Sequence, residues 1–229
     1  NISQKNKYYG EYTFHYWLWK NYLDQIKHRW IGFCQYRKFW SLKFVPNEQL
    51  NISNLKDNTI NNVPKEYDQY DVILGTPFYV NNRKTMKFLK KGLPLVLSNP
   101  KILFSKKARN IKFHFDLMHG RKNLDKAANL LDSKNKNDFI NFVNNEVSFN
   151  PHNMFICQSR NLLKDYYKDL FTWLESCESI FGFDNLKGYG MKRIYGFLAE
   201  RFMSYWFKKN ANFKELPILF HDINISLTN

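Results

Sequence analysis

Long apolar runs are missing from this chain. Lys, Asn or Asp interrupts each hydrophobic stretch well short of the roughly 20 residues a spanning helix needs, and nothing at the start reads as a signal peptide. The expectation is a soluble protein of the cytoplasm. Cysteine is scarce: Cys34, Cys157 and Cys177 are odd in number and widely spaced. That pattern lacks the close pairing of a zinc site and the even count of a disulfide framework, so the three read as reduced packing residues. Glycine is also scarce, with 9 residues, and no Walker or dinucleotide loop occurs. A Gly-x-Ser-x-Gly elbow, a His-Glu-x-x-His helix and a kinase signature are absent as well, which removes most of the weight from those enzyme classes. Acidic residues number 20 against 35 Lys and Arg, a net charge of +15. Such an excess attracts phosphate in nucleic acid, nucleotide or an anionic membrane leaflet without choosing among them. Lys beside abundant Asn is also the pattern expected of an AT-rich coding sequence, an alternative source for part of the excess that needs no partner.

What is present is a folding chain. Apolar residues make up 44% and aromatics 18% of 229 residues, too much for disorder, and the mean hydropathy of −0.56 argues against a polytopic membrane protein. One domain is expected over residues 1–229. Phe14, Trp17, Leu18 and Leu23 recur at helical intervals between Glu11 and Leu23, so an amphipathic helix with these residues inward is predicted. Trp30 to Cys34 reads as a buried strand, followed by the polar segment Gln35-Tyr36-Arg37-Lys38. Ser41 to Lys65, rich in Asn, reads as a surface loop and a candidate lid. Tyr70 to Leu74 reads as a second strand closed by Gly75-Thr76-Pro77, with Asp71 as a cap or edge residue. Arg83 to Arg109 is the main basic patch. Two or three helices are predicted from Ile111 to Phe142, then a strand from Met154 to Cys157. Helices over Asn161 to Phe181 and Arg193 to Phe207 follow, and a terminal strand over Leu216 to Phe220. Strands alternating with helices make the fold class α/β.

Ligands of open α/β sheets gather at the carboxyl ends of strands. There Arg37 and Lys38 would face a pyrophosphate, Arg in a bidentate way and Lys as a point charge; as bare residue types they equally suit a solvated loop. No Asp-x-Asp triplet is present, so the charge compensation for a bound nucleotide sugar would be cationic, and participation of a divalent metal is left open. Asp116 and His119, three residues apart, could share a helix face with the carboxylate orienting the ring; a helix-terminal cap is the plainer role. His152 and Asn153 precede a strand, where the Asn amide would read sugar hydroxyls or simply form a turn. Glu200-Arg201 sits inside an apolar helix and is either a buried ion pair or a catalytic carboxylate with its partner. Tyr36 and Trp40, from an aromatic cluster, are the choices for stacking on a sugar or base.

Several ordered blocks resemble one family. They are Asn1-Ile2-Ser3 with Asn6, Tyr9 to Thr13, Tyr16 to Asn21, Trp30 to Phe39, His152 to Ile156, Tyr166 to Leu174, and Arg193 with Phe197 to Arg201. Together they resemble the bacterial capsule and exopolysaccharide biosynthesis proteins of the domain-of-unknown-function 4422 family. The resemblance implies a glycosyltransferase of hexosyltransferase type with a GT-A-like nucleotide-sugar sheet, extending cell-surface glycans at the cytoplasmic face of the inner membrane. Galactofuranosyl transfer is known for some relatives. The family's His-Tyr-Arg-Arg-Tyr block falls on Gln35, Tyr36, Arg37, Lys38 and Phe39, a departure at three of five places that removes an imidazole.

The resemblance makes a UDP-sugar the expected donor, with Tyr36, Arg37 and Lys38 holding it. Trp40, His152, Asn153 and Arg201 would bind substrate, and one of Asp116, His119 or Glu200 would be the base of an inverting reaction. A glycan or lipid-linked acceptor and peripheral contact with an anionic membrane are the expected partners; nucleic acid is not. Relatives carry a further N-terminal segment, so part of the donor site, including a first strand, is expected to be absent and nucleotide-sugar binding weak. The competing class is a basic nucleic-acid or anionic-surface binding module whose affinity falls steeply with salt; a third is an inactive scaffold subunit.

Overall fold

Two short apolar runs, Val72–Gly75 and Phe155–Cys157, become strands buried along their whole length. In the computed structural model, which describes residues 2–82, 97 and 99–222, β1 (Ile31–Gly32), β6 (Phe155–Cys157), β3 (Val72–Gly75) and β7 (Phe213–Leu216) form a sheet in the order β1-β6-β3-β7. β3 runs parallel to β7 and antiparallel to β6, and β1 is antiparallel to β6. Alternation along β3 sends Val72 and Leu74 into the main core and Ile73 into a second one with Trp40, Met154, Ile156 and Leu216. The fold class is therefore α/β, a mixed sheet covered by helices. Asp71 ties the start of β3 to β7, its carboxylate accepting the Asn212 N–H at 2.8 Å.

The main core lies between one face of the sheet and the helices Tyr12–Asn21, Arg160–Phe181 and Ile194–Asn210. Tyr166, Tyr167, Phe202, Phe207 and Trp206 interlock there, each 2% exposed or less. Its polar atoms are matched, as burial requires: the Tyr12 and Tyr166 hydroxyls meet at 2.8 Å, and His15 Nδ1 lies 2.8 Å from the Tyr167 hydroxyl. Helices Ile111–His119, Asn123–Ala128 and Ser133–Asn145 pack beside them.

Three sequence expectations change. Helix Tyr12–Asn21 turns Tyr12, His15 and Leu18 inward, while Phe14 and Trp17 are 55% and 44% exposed; His15 takes an inward position because a tyrosine hydroxyl satisfies its ring. The Ser41–Lys65 stretch holds a helix, Ile52–Asn58, whose Asn51–Asn54 capping box replaces an apolar stripe as its signal. The terminal strand is two strands, because Pro217 donates no N–H and breaks the ladder. β7 stays in the main sheet, and β8 (Ile218–Phe220) pairs with β2 (Lys38–Trp40). β4 (Phe78–Tyr79) pairs with β5 (Ser148–Phe149) apart from these. Most of the basic patch, including Arg83, Lys84, Lys87, Lys90 and Lys91, lies outside the described residues.

Candidate functional site

The segment after β1 turns sharply at Arg37, whose φ of 68° is left-handed, before re-entering as β2. Across from it the segment before β6 makes a similar turn at His152 (φ 77°) and Asn153 (φ 54°). Among the described residues these are three of the four non-glycine positions with positive φ, and all three line one cavity of about 570 Å³. Non-glycine residues in this region cost about 1–2 kcal/mol each, and such strain clusters where the surroundings impose it.

Hydrogen bonds impose it here. The His152 N–H donates to Glu200 Oε1 at 2.6 Å, and its carbonyl accepts from Gln35 Nε2 at 2.5 Å. Gln35 Nε2 also donates to Glu11 Oε1, and Gln35 Oε1 accepts from Lys38 Nζ at 2.6 Å. Asn153 Nδ2 donates to Glu11 Oε1 at 2.8 Å. Asn153 Oδ1 is buried without a partner among the described residues, and a buried acceptor left open in this way costs about 1–3 kcal/mol.

Charge converges on the same space. Arg37 Nη1 donates to Asp222 Oδ2 at 2.5 Å, with the tail held alongside by the His221 N–H on the Arg37 carbonyl. Lys38 donates to a neutral amide, and burial lowers its pKa; Glu11 and Glu200 pull it back up, while Arg37 and Arg193 add to the lowering. Arg193 reaches Glu11 Oε2 at 3.3 Å. Burial raises Glu200 above the usual carboxylate range, opposed by Arg201 and the His152 N–H. Burial, with Lys38 adding to it, pushes His152 down to about 4, so its ring is neutral at pH 7.

Of the residues singled out in the sequence, Tyr36, Arg37, Lys38, His152, Asn153 and Glu200 line this cavity. Arg201 stands behind it, 2% exposed, donating to Glu200 Oε2 at 2.5 Å with its guanidinium 4.2 Å from the Phe149 ring centre. The other three sit elsewhere. Trp40 is in the second core with its Nε1 on the Phe33 carbonyl. Asp116 opens on a separate hollow beside Lys112 and Lys122, and burial raises its pKa. His119 is buried against Phe197 with Nδ1 3.1 Å from the Gly190 carbonyl, and burial pushes it down to about 3.

Sequence reading missed Glu11, Arg193 and Asp222. Glu11 was read only as the start of an aromatic helix, and neither its network nor the tail's return leaves a local signal. Gln35 was noted chiefly for the imidazole it replaces, yet its side chain links Glu11, Lys38 and His152. Among the described residues no group of three or more His, Cys, Asp or Glu could hold a metal ion, and no helix is long and apolar enough to cross a membrane.

Fold and cavity together define a mixed α/β protein with a polar cleft at the ends of its strands, lined by Arg37, Lys38 and Arg193 and by the carboxylates Glu11 and Glu200. The family model described as Domain of unknown function (DUF4422) matches residues 1–211, and the chain belongs to that family. No curated protein matches the sequence. Among solved structures the chain is similar to the apo structure of the WbbM bifunctional glycosyltransferase. The TM-score is 0.63 at 19% identity, covering 96% of this chain and 38% of that one. At this identity the likeness speaks for the fold, and the chain spans well under half of that protein.

Proposed function

We propose that this protein is a glycosyltransferase that moves a hexose from a UDP-sugar to a hydroxyl of a growing cell-surface glycan or lipid-linked acceptor. It would work in the cytoplasm at the inner membrane face. The observation that carries the reading is the meeting of Arg37 and Lys38 with Asn153 and Glu200 around one cavity; the fold shared with a glycosyltransferase supports it. A volume of about 570 Å³ falls in the range of small-molecule sites.

In the proposed reaction the bond from the sugar's anomeric carbon to the diphosphate oxygen breaks, and the diphosphate leaves with the electron pair. Arg37 and Lys38 neutralise the charge that grows on it, the kind of preorganised stabilisation that dominates many transition states. The acceptor oxygen bonds to the anomeric carbon from the opposite face, and its proton passes to Glu200. Each Glu200 oxygen uses one lone pair on its present donor and keeps another, and its raised pKa makes it a better base near neutral pH. Asn153 Oδ1 would accept a sugar hydroxyl, and Tyr36, 61% exposed, would cover the base or sugar.

The test is a thermal-shift screen of nucleotide sugars with the wild-type chain and Lys38→Ala. A ligand-specific rise that Lys38→Ala abolishes supports the reading. A uniform, salt-sensitive response to any polyanion, nucleic acid included, would instead favour a basic binding module.

A further inference from the structure

We propose that Arg193 is a second diphosphate ligand of this cavity, held by Glu11 until an anion arrives. The inference rests on the nucleotide-diphosphate reading and extends it to a residue from another part of the fold.

Arg193 sits between the Gly188–Lys192 and Ile194–Asn210 helices and lines the same cavity as Arg37 and Lys38. The chain leaves room for its guanidinium: a Cβ at Gly10 would lie 2.0 Å from Arg193 Nη2, and Gly10 has a φ of 61°. The Arg193–Glu11 contact is the loosest arginine–carboxylate pair around the cavity, one hydrogen bond of 3.3 Å. Arg37–Asp222 and Arg201–Glu200 both close to 2.5 Å. A tight charge-assisted bond runs at about 2.7–2.9 Å, and a guanidinium carries five N–H donors suited to two-point capture of phosphate. At 35% side-chain exposure, Arg193 is open to solvent on the cavity side and bonded through one of those donors.

Glu11 does not depend on Arg193. Its Oε1 already accepts from Gln35 and Asn153, so the guanidinium can leave without orphaning the carboxylate. Lys38 donates to a neutral oxygen. Lys38 and a released Arg193 thus supply two positive charges against the two or so of a diphosphate. Arg37 takes part only after giving up Asp222.

The experiment is isothermal titration of the full chain with UDP, UMP and inorganic pyrophosphate, for wild type, Arg193→Gln and Glu11→Gln. Circular dichroism and melting confirm that each variant folds. Arg193→Gln is expected to weaken UDP and pyrophosphate by about tenfold or more, the worth of a charge-assisted contact, while UMP changes little. Glu11→Gln, which removes the competitor, is expected to tighten UDP. A folded Arg193→Gln that binds UDP like wild type overturns the inference and leaves the glycosyltransferase reading standing; so does equal loss of UDP and UMP, the mark of a structural role. Pyrophosphate binding that needs Arg193, with no preference for uridine nucleotides, keeps the anion ligand and removes the donor reading. Absence of binding by all three ligands to wild type overturns both.

Discussion

Replacing Arg201 by Met tests the buried carboxylate at the centre of the proposed site. Arg201 is 2% exposed; its Nη1 donates to Glu200 at 2.5 Å and to the Phe197 carbonyl at 3.3 Å, and its Nη2 lies 3.3 Å from His114 Nδ1. Methionine fills much of the apolar volume beside Phe149, so the main effect is a largely buried Glu200, its side chain 13% exposed, left with the His152 N–H as its one described donor. Breaking a buried pair from one side costs about 3–5 kcal/mol. Glu200 can escape by taking a proton: its pKa is already raised by burial, and loss of the arginine raises it further. The cost is therefore largest above neutrality and shrinks on acidification, by at most about 1.4 kcal/mol per pH unit. Urea denaturation followed by circular dichroism at pH 8 and pH 5 measures both. The double variant Arg201→Met/Glu200→Gln should recover most of the loss, because it removes the charge that the first change stranded. A destabilisation under about 1 kcal/mol, or one equal at the two pH values, would refute the picture of Glu200 as a buried carboxylate held by Arg201.

Other regions make separate commitments. His15 and His119 are 2% and 4% exposed, and burial pushes both down to about 3. The folded chain keeps them neutral while the unfolded chain protonates them below about 6.5, so their contribution is whole above that pH and is lost as the pH falls toward 3. Each should cost about 1.4 kcal/mol per unit in that window, and a urea midpoint that stays fixed from pH 7 to pH 5 would contradict this. Asn153→Ala should destabilise by about 1–2 kcal/mol more than Asn153→Gly, since only glycine adopts a φ of 54° without strain; equal melting temperatures would count against the strained turn. Cys34 is exposed, whereas burial pushes Cys157 up to about 12 and raises Cys177 likewise. A thiol reagent should therefore label one cysteine per native chain quickly and all three in denaturant; three fast thiols in the native state would be inconsistent with the fold.

How much of this was legible in the sequence depends on the range of the interaction involved. Strands β3 and β6 and the helices Arg160–Phe181 and Ile194–Asn210 follow from apolar runs and 3.6-residue periodicity, because burial on two faces or one stripe writes itself into neighbouring positions; of the strand expected over Trp30 to Cys34 only Ile31–Gly32 forms, with Gly32 and Cys34 exposed at the sheet edge. Helix Tyr12–Asn21 was legible as a helix and misleading as to its face. Trp17 and Phe14 looked like core, but the core position went to His15, whose ring is satisfied by a tyrosine 152 residues away. The cavity divides along the same line. Arg37, Lys38, His152 and Asn153 were accessible because each flanks a short apolar run: Arg37 and Lys38 follow the carboxyl end of β1, where α/β sheets place ligands, and His152 and Asn153 precede β6. Glu11, Arg193 and Asp222 reach the same space from other parts of the chain, Glu11 across 24 residues to Gln35 and Asp222 across 185 to Arg37, through side chains whose local sequence is that of ordinary helix ends and a tail. Gln35 shows the limit most plainly. Read as the loss of an imidazole, it instead receives Lys38 on its oxygen and, through its nitrogen, ties together Glu11 and the His152 carbonyl. A neutral imidazole offers one N–H and one acceptor nitrogen, so a histidine there could accept from Lys38 but donate to only one of Glu11 and the His152 carbonyl. The amide serves both sides at once, and the departure from the family block is itself the residue that closes the wall of the cavity.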